Sequence, residues 1–173
     1  MKNLNYKLNQ LREFFDFEKI VNLNADIKSI AKYYKVNVRF YSFLNNRQGF
    51  IHMAISQNKK LTKEDYLGQI KIIERYINKN TKTVLELATG RGANSIYLAN
   101  KYSKIQFVGI DLPNGHLNFA AKNSKGLNNF KPEEGDFHDL SKYPKKSFDI
   151  VFIIEALCHS NQKEKVIKQV KRV

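Results

Sequence analysis

The sequence holds a single cysteine, Cys158, in 173 residues. One thiol cannot close an internal disulfide, so the chain is expected to rely on a hydrophobic core in a reducing, cytoplasmic setting. No apolar run approaches the ~18 residues that a membrane-spanning helix requires. The opening MKNLNYKLNQ lacks the apolar stretch of a secretory signal. Any contact with a membrane is therefore expected to be peripheral. The four histidines, His52, His116, His138 and His159, are scattered and none stands at ligand spacing with a cysteine, so no metal is expected. Internal repeats and low-complexity tracts are missing too. Acidic residues are in short supply, 16 against 30 Lys and Arg, which leaves a net charge of +14. The lysines run along the whole chain rather than in one block, which fits a generic solvated surface better than a nucleic-acid footprint; an anionic partner is the competing explanation.

What is present suits one domain with a real core: 42% of the residues are apolar and 27% charged. The pattern changes near residue 80. Residues 1–80 read as a helical cap. Asn24-Ala25-Asp26 opens a helix to about Leu44, dense in aromatics (Tyr33, Tyr34, Phe40, Tyr41, Phe43). A second helix is predicted after Leu61, with Thr62 and Asp65 as a capping box and Tyr66, Ile70, Ile73 and Ile77 recurring on one face. Residues 81–173 alternate short apolar runs with helices. Strands are expected at 83–87, 105–110, 130–134 and 148–154, with helices at 93–102, 117–123 and 162–172. That alternation predicts an α/β architecture with a parallel, Rossmann-like sheet and right-handed crossovers. Continuous apolar runs such as Ile150 to Ile154 fit strands covered on both faces.

The first strand runs into Glu86-Leu87-Ala88-Thr89-Gly90-Arg91-Gly92-Ala93. Gly90 and Gly92 fall where strand turns to helix, a place where glycine lets a ligand approach the main chain. Tight packing alone would also explain them. Asp111 ends the second strand roughly 20 residues later, the place of a carboxylate that binds ribose hydroxyls; a helix N-cap is its other role. Ser95 stands where a third glycine of the dinucleotide pattern belongs. Glu86 before the turn would repel a pyrophosphate and suits instead a cofactor carrying a sulfonium and an ammonium. Gly135-Asp136-Phe137 follows the third strand, where an Asp can accept from an adenine amine and an aromatic ring can stack.

Together Glu86 to Ala93, Val108 to Asp111, Gly135 to Phe137 and Phe148 to Glu155 resemble motifs I to IV of class I S-adenosylmethionine-dependent methyltransferases. Ala88 and Thr89 stand in place of the usual Gly-Cys of motif I. The resemblance implies S-adenosylmethionine as cofactor, held by Glu86, Ala88, Gly90, Gly92, Asp111, Leu112, Asp136 and Phe137. It implies strands in the order 3-2-1-4, truncated after strand 4, and an exposed apolar strand edge through which the chain would self-associate.

A narrower stretch, Glu155-Ala156-Leu157-Cys158-His159-Ser160, is similar to Glu-Ala-Thr-Cys-His-Ala of the sterol side-chain methyltransferases. Tyr33-Tyr34, Phe40-Tyr41 and Phe50-Ile51-His52 are similar to that group's aromatic segment, whose Trp-Gly is absent here. This resemblance implies a small or lipid-like, sterol-like acceptor, Glu155 or His159 as base, and Tyr33 and Tyr34 lining the pocket. Core packing for the tyrosines and capping for His159 are the alternatives. A truncated, catalytically inactive protein that binds cofactor or a partner subunit is the competing class. Nucleic-acid methylation is disfavoured, because strand 4 lacks the Asp/Asn-Pro-Pro-Tyr of amino-methylating DNA enzymes.

Overall fold

The computed structural model describes residues 4–21, 26–44, 48–56 and 60–173. Helices come first: α1 (Leu4–Arg12), α2 (Phe17–Val21), α3 (Ile27–Leu44) and α4 (Gly68–Glu74). Asp26 caps α3, its carboxylate accepting from the Ser29 amide at 2.7 Å. Asn24 and Ala25, expected to open this helix, lie outside the described residues.

The helix expected after Leu61 is shorter than its apolar periodicity suggests. A 3₁₀ turn (Glu64–Leu67) precedes α4, and the helix closes at Glu74. The Thr62–Asp65 pair explains part of this. Asp65 accepts from the Thr62 amide at 2.7 Å and from the Thr62 hydroxyl at 3.0 Å. The Asp65 amide turns to the Thr62 carbonyl rather than to its hydroxyl, so only half of a capping box forms. The apolar face is nevertheless used. Ile70 is fully buried, Ile73 and Ile77 pack against the same core, and Tyr66 stacks on Phe50.

From Thr83 onward strands and helices alternate: β1 (Thr83–Leu87), α5 (Ala93–Lys101), β2 (Gln106–Asp111), α6 (His116–Asn123), β3 (Phe130–Glu134), β4 (Ile150–Ile153) and α7 (Lys163–Arg172). The sheet is parallel throughout, in the order β3-β2-β1-β4, as expected. Side chains alternate across β1. Val84 joins Ile70, Leu98, Phe107, Phe130 and Phe152 on one face. Leu85 and Leu87 join Ile110, Leu140, Val166 and Val173 on the other. Helices and loops therefore cover both faces, as a parallel sheet demands.

β4 is shorter than the apolar run 148–154. Phe148 and Asp149 enter it from outside: the Phe148 amide donates to the Val173 carbonyl, and the Asp149 carboxylate accepts from the amides of Lys82 and Thr83. The run ends at Glu155, whose φ of 51° turns the chain out of the sheet. β4 is an edge strand, with no strand beyond it among the described residues. Among those residues no helix is long and apolar enough to cross a membrane.

Candidate functional site

Parallel α/β sheets open their binding crevice at the carboxyl ends of the strands. Here the ends of all four strands wall one cavity of about 280 Å³. Glu86 and the turn Ala88–Gly90 come from β1, Asp111 and Leu112 from β2, Gly135 to His138 from β3, and Ile154 to Ala156 from β4. Tyr34 and Tyr41 of α3, with the segment Gly49–His52, form the roof.

The glycine turn is held from below by two acids. Glu86 is 2% exposed. One of its oxygens accepts from the hydroxyls of Thr89 and Ser95, both at 2.6 Å, and the other from Asn94 Nδ2 at 2.9 Å. Asp111 accepts from the Gly90 amide at 2.6 Å, the Leu112 amide at 2.8 Å and Asn114 Nδ2 at 2.7 Å. Each carboxylate thus spends three of about four acceptor positions on the protein. Burial pushes both acids above the usual carboxylate range, with those hydrogen bonds pulling back. Ser95, noted as the absent third glycine, is a ligand of Glu86.

The turn is strained as well as braced. Ala88 has φ 55°, a left-handed angle that costs a residue with a Cβ. Gly90, at φ 57°, passes so close to the roof that a Cβ there would meet Ile51 Cδ1 at 2.7 Å. Gly109, in the middle of β2, answers a different need. A Cβ there would meet Thr89 Oγ1 at 2.6 Å and Thr89 Cβ at 2.8 Å, so its missing side chain is the seat of the turn.

On the β3 side, Asp136 lines the cavity and Phe137 stands beside it against His138. Asp136 Oδ1 accepts from the His138 amide and lies 2.6 Å from His138 Nδ1. On the β4 side, Glu155 is tied to the roof. Its carboxylate accepts from the Met53 amide at 3.0 Å and from Gln69 Nε2. His159, in the 3₁₀ turn Leu157–His159, meets Tyr34 across the mouth, Oη to Nε2 at 3.0 Å. Burial pushes the Tyr34 phenol up to about 12, so it stays protonated beside His159.

Behind the tyrosines sits His116. Arg91 Nε donates to its Nδ1 at 3.2 Å, and Arg91 also donates to the Val38 carbonyl, which fastens α3 to the sheet. A guanidinium only donates, so the His116 hydrogen is on Nε2, which is buried and without a hydrogen-bond partner. Burial, and then the charge of Arg91, pull its pKa down to about 4.

The structure brings Glu86, Ala88, Gly90, Asp111, Leu112, Asp136, Phe137, Glu155, His159 and Tyr34 to one cavity. Gly92 stands behind the turn against Ala120 and Phe130, and Tyr33 stays outside, 56% exposed, with its ring edge-on to Tyr34. Asn94, Asn114, His116 and His138 are lining residues that the sequence reading did not single out. A polar residue just past a glycine turn or two places after a site acid is the local signal for Asn94 and His138. Among the described residues no group of three His, Cys, Asp or Glu could hold a metal ion.

The family described as "Methyltransferase domain" matches residues 78–173. Phosphoethanolamine N-methyltransferase 1 of Arabidopsis thaliana is 29% identical over 91 residues, which are 53% of this chain and 18% of that protein. Among solved structures, the [4+2]-cyclase SpnF superposes with a TM-score of 0.76 at 17% identity, covering 84% of this chain and 55% of that one. Coclaurine N-methyltransferase, solved with N-methylheliamine and SAH, gives 0.67 at 15% identity over 96% of this chain and 51% of that one. The chain thus spans a minor part of the curated relative and about half of each of these solved chains. At such identities the superpositions show the fold alone, and a cyclase among them shows that this fold does not fix the reaction.

Proposed function

The chain belongs to the methyltransferase domain family, and on that premise we propose that it binds S-adenosylmethionine and serves methyl transfer to a small-molecule acceptor. One observation carries the cofactor reading. The protein has a net charge of +14, yet its cavity is lined by four carboxylates, Glu86, Asp111, Asp136 and Glu155, and by no Lys or Arg among the described residues. Such a wall repels a pyrophosphate and favours a ligand bearing a sulfonium and an ammonium.

When bound, S-adenosylmethionine supplies a methyl group already activated on positive sulfur. The protein's part is to position the two reactants and exclude water. In this reading Asp111 offers its remaining acceptor position to the ribose, Asp136 takes the adenine amine, and Phe137 and Leu112 flank the base. Glu86 and Gly92 shape the glycine turn from behind. His159 is the base that takes the acceptor's proton on Nδ1, with its Nε2 hydrogen directed to the Tyr34 hydroxyl. Glu155 holds the roof segment in place, because its oxygens are engaged by Met53 and Gln69.

An amine is the acceptor class we favour, since a base beside the mouth suits a nucleophile that sheds one proton for each methyl gained. The N-methyltransferase that is 29% identical over 91 residues supports it. The second reading, a lipid-like or sterol-like acceptor, draws on the apolar roof of Ile27, Ile30 and Ile51.

Titration calorimetry with S-adenosylhomocysteine and with NAD tests the cofactor reading. The first should bind and the second should not; the reverse overturns it. Turnover with a primary amine against a sterol separates the acceptor classes.

A further inference from the structure

Asp136 does not stand alone in the cavity wall. Its Oδ1 takes the His138 amide at 2.9 Å and faces His138 Nδ1 at 2.6 Å. His138 Nε2 in turn lies 2.7 Å from Ser160 Oγ. Both partners are buried, His138 7% exposed and Ser160 2%. Ser160 Oγ also accepts from the Gln162 amide at 3.0 Å, in the turn that leads into α7. The direction of the chain follows from counting hydrogens. An ionised carboxylate only accepts, so the hydrogen between Asp136 Oδ1 and His138 is on Nδ1. In the neutral ring Nε2 is then the acceptor, and the Ser160 hydroxyl donates to it.

The consequence is a carboxylate with one oxygen filled and the other, Oδ2, without a protein partner among the described residues. We infer that Ser160 and His138 are positioning residues that set the plane of the Asp136 carboxylate, so that Oδ2 meets the exocyclic amine of an adenine. This rests on the proposal that the cavity takes an adenosyl cofactor. The same chain reaches the other side of the cavity. The Ser160 amide donates to the Leu157 carbonyl at 3.1 Å and closes the turn that bears His159. The grip on the adenine and the placing of the residue at the acceptor's mouth thus share one serine.

A structural prop would weaken every ligand equally, whereas a positioning chain acts through the amine alone. The test is calorimetry of the full 173-residue chain with S-adenosylhomocysteine and with its purine analogue lacking the 6-amine. The unaltered protein should prefer the amine-bearing ligand by about tenfold, the scale of one hydrogen bond to a charged group. Asp136→Ala should erase that preference. If it does not, the adenine reading of Asp136 fails, and the inference with it. If Asp136→Ala erases the preference while Ser160→Ala keeps it, the positioning role alone is overturned. The expected result is that Ser160→Ala loses most of the preference with little change in affinity for the deaminated ligand, and that Ser160→Thr restores it. A long-range ¹H–¹⁵N spectrum of the unaltered protein gives an independent check without any variant. It should show the His138 hydrogen on Nδ1, and a hydrogen on Nε2 in the neutral ring overturns the chain.

Discussion

Under the cavity, Glu86 and Asp111 each accept three hydrogen bonds, and the turn they brace packs onto a β1 that is buried from Val84 to Leu87. Above it, α3 leaves Val36 71% and Phe40 60% exposed. Its ties to the rest of the protein include the Arg91 bond to the Val38 carbonyl, the Tyr34–His159 pair and a cluster of ring edges on His116. The floor is built before any ligand arrives, with charges already placed and unable to rearrange. The roof is held by side-chain bonds from Arg91, His159 and Glu155. Such an arrangement binds a cofactor by preorganisation and admits an acceptor by local opening.

The largest test is on the floor. Asp111→Ala should weaken S-adenosylhomocysteine binding by roughly 1.5–3 kcal/mol, because it removes both a ligand contact and the acceptor that fixes the Gly90 amide. Calorimetry paired with thermal unfolding reads the two effects apart. Unchanged affinity with a lowered Tm would make Asp111 a brace alone.

Where floor meets roof, His116 gives the next largest effect, and it depends on pH. Its folded pKa of about 4 lies below the ordinary 6.5. Between those values the unfolded chain binds a proton that the folded one refuses, so stability is lost as pH falls through this window. The loss from His116 between pH 7 and pH 5 should come to about 2 kcal/mol. The raised carboxyls of Glu86 and Asp111 act in the opposite direction at the acid end. The measurement is therefore the difference in urea stability between the protein and His116→Gln across this range. The variant should close on the wild type as the pH drops, and a constant gap would mean the ring is solvated.

The roof should answer more weakly in stability than in function. Tyr34→Phe removes one hydrogen bond, about 1 kcal/mol, while kcat should fall and cofactor affinity should hold. A loss of cofactor affinity with kcat intact would place Tyr34 on the floor's side of the comparison.

The contrast also explains what the sequence made legible. The floor is written in local signals: Gly90 and Gly92 at a strand end, Asp111 about 20 residues on, and apolar runs that mark the four strands, whose order came from the family resemblance. What escaped is what depends on distant partners. Tyr34 and His159 are 125 residues apart, and nothing near either names the other. Glu86 reads as a ligand for a cation, but Thr89, Asn94 and Ser95 occupy most of it. The end of the second helix was misread because side-chain periodicity continues through Ile77 after the backbone has left α4.

Ala88 offers the smallest and most discriminating test of whether the floor is strained for binding. At φ 55° its Cβ crowds the backbone, which costs about 1–2 kcal/mol. Glycine would relieve that crowding, but it also widens the unfolded ensemble and returns roughly 0.5–1 kcal/mol of the gain. Ala88→Gly should therefore raise stability by less than about 1 kcal/mol in urea unfolding. If the alanine holds the turn in its binding shape, S-adenosylhomocysteine affinity falls although stability does not. Lys146 supplies the control, since it has the same φ of 55° but lies outside the cavity wall. Lys146→Gly should give a similar small gain with no change in affinity. Equal behaviour of the two variants, stability and affinity alike, would show that the strain at Ala88 belongs to the turn and not to the ligand.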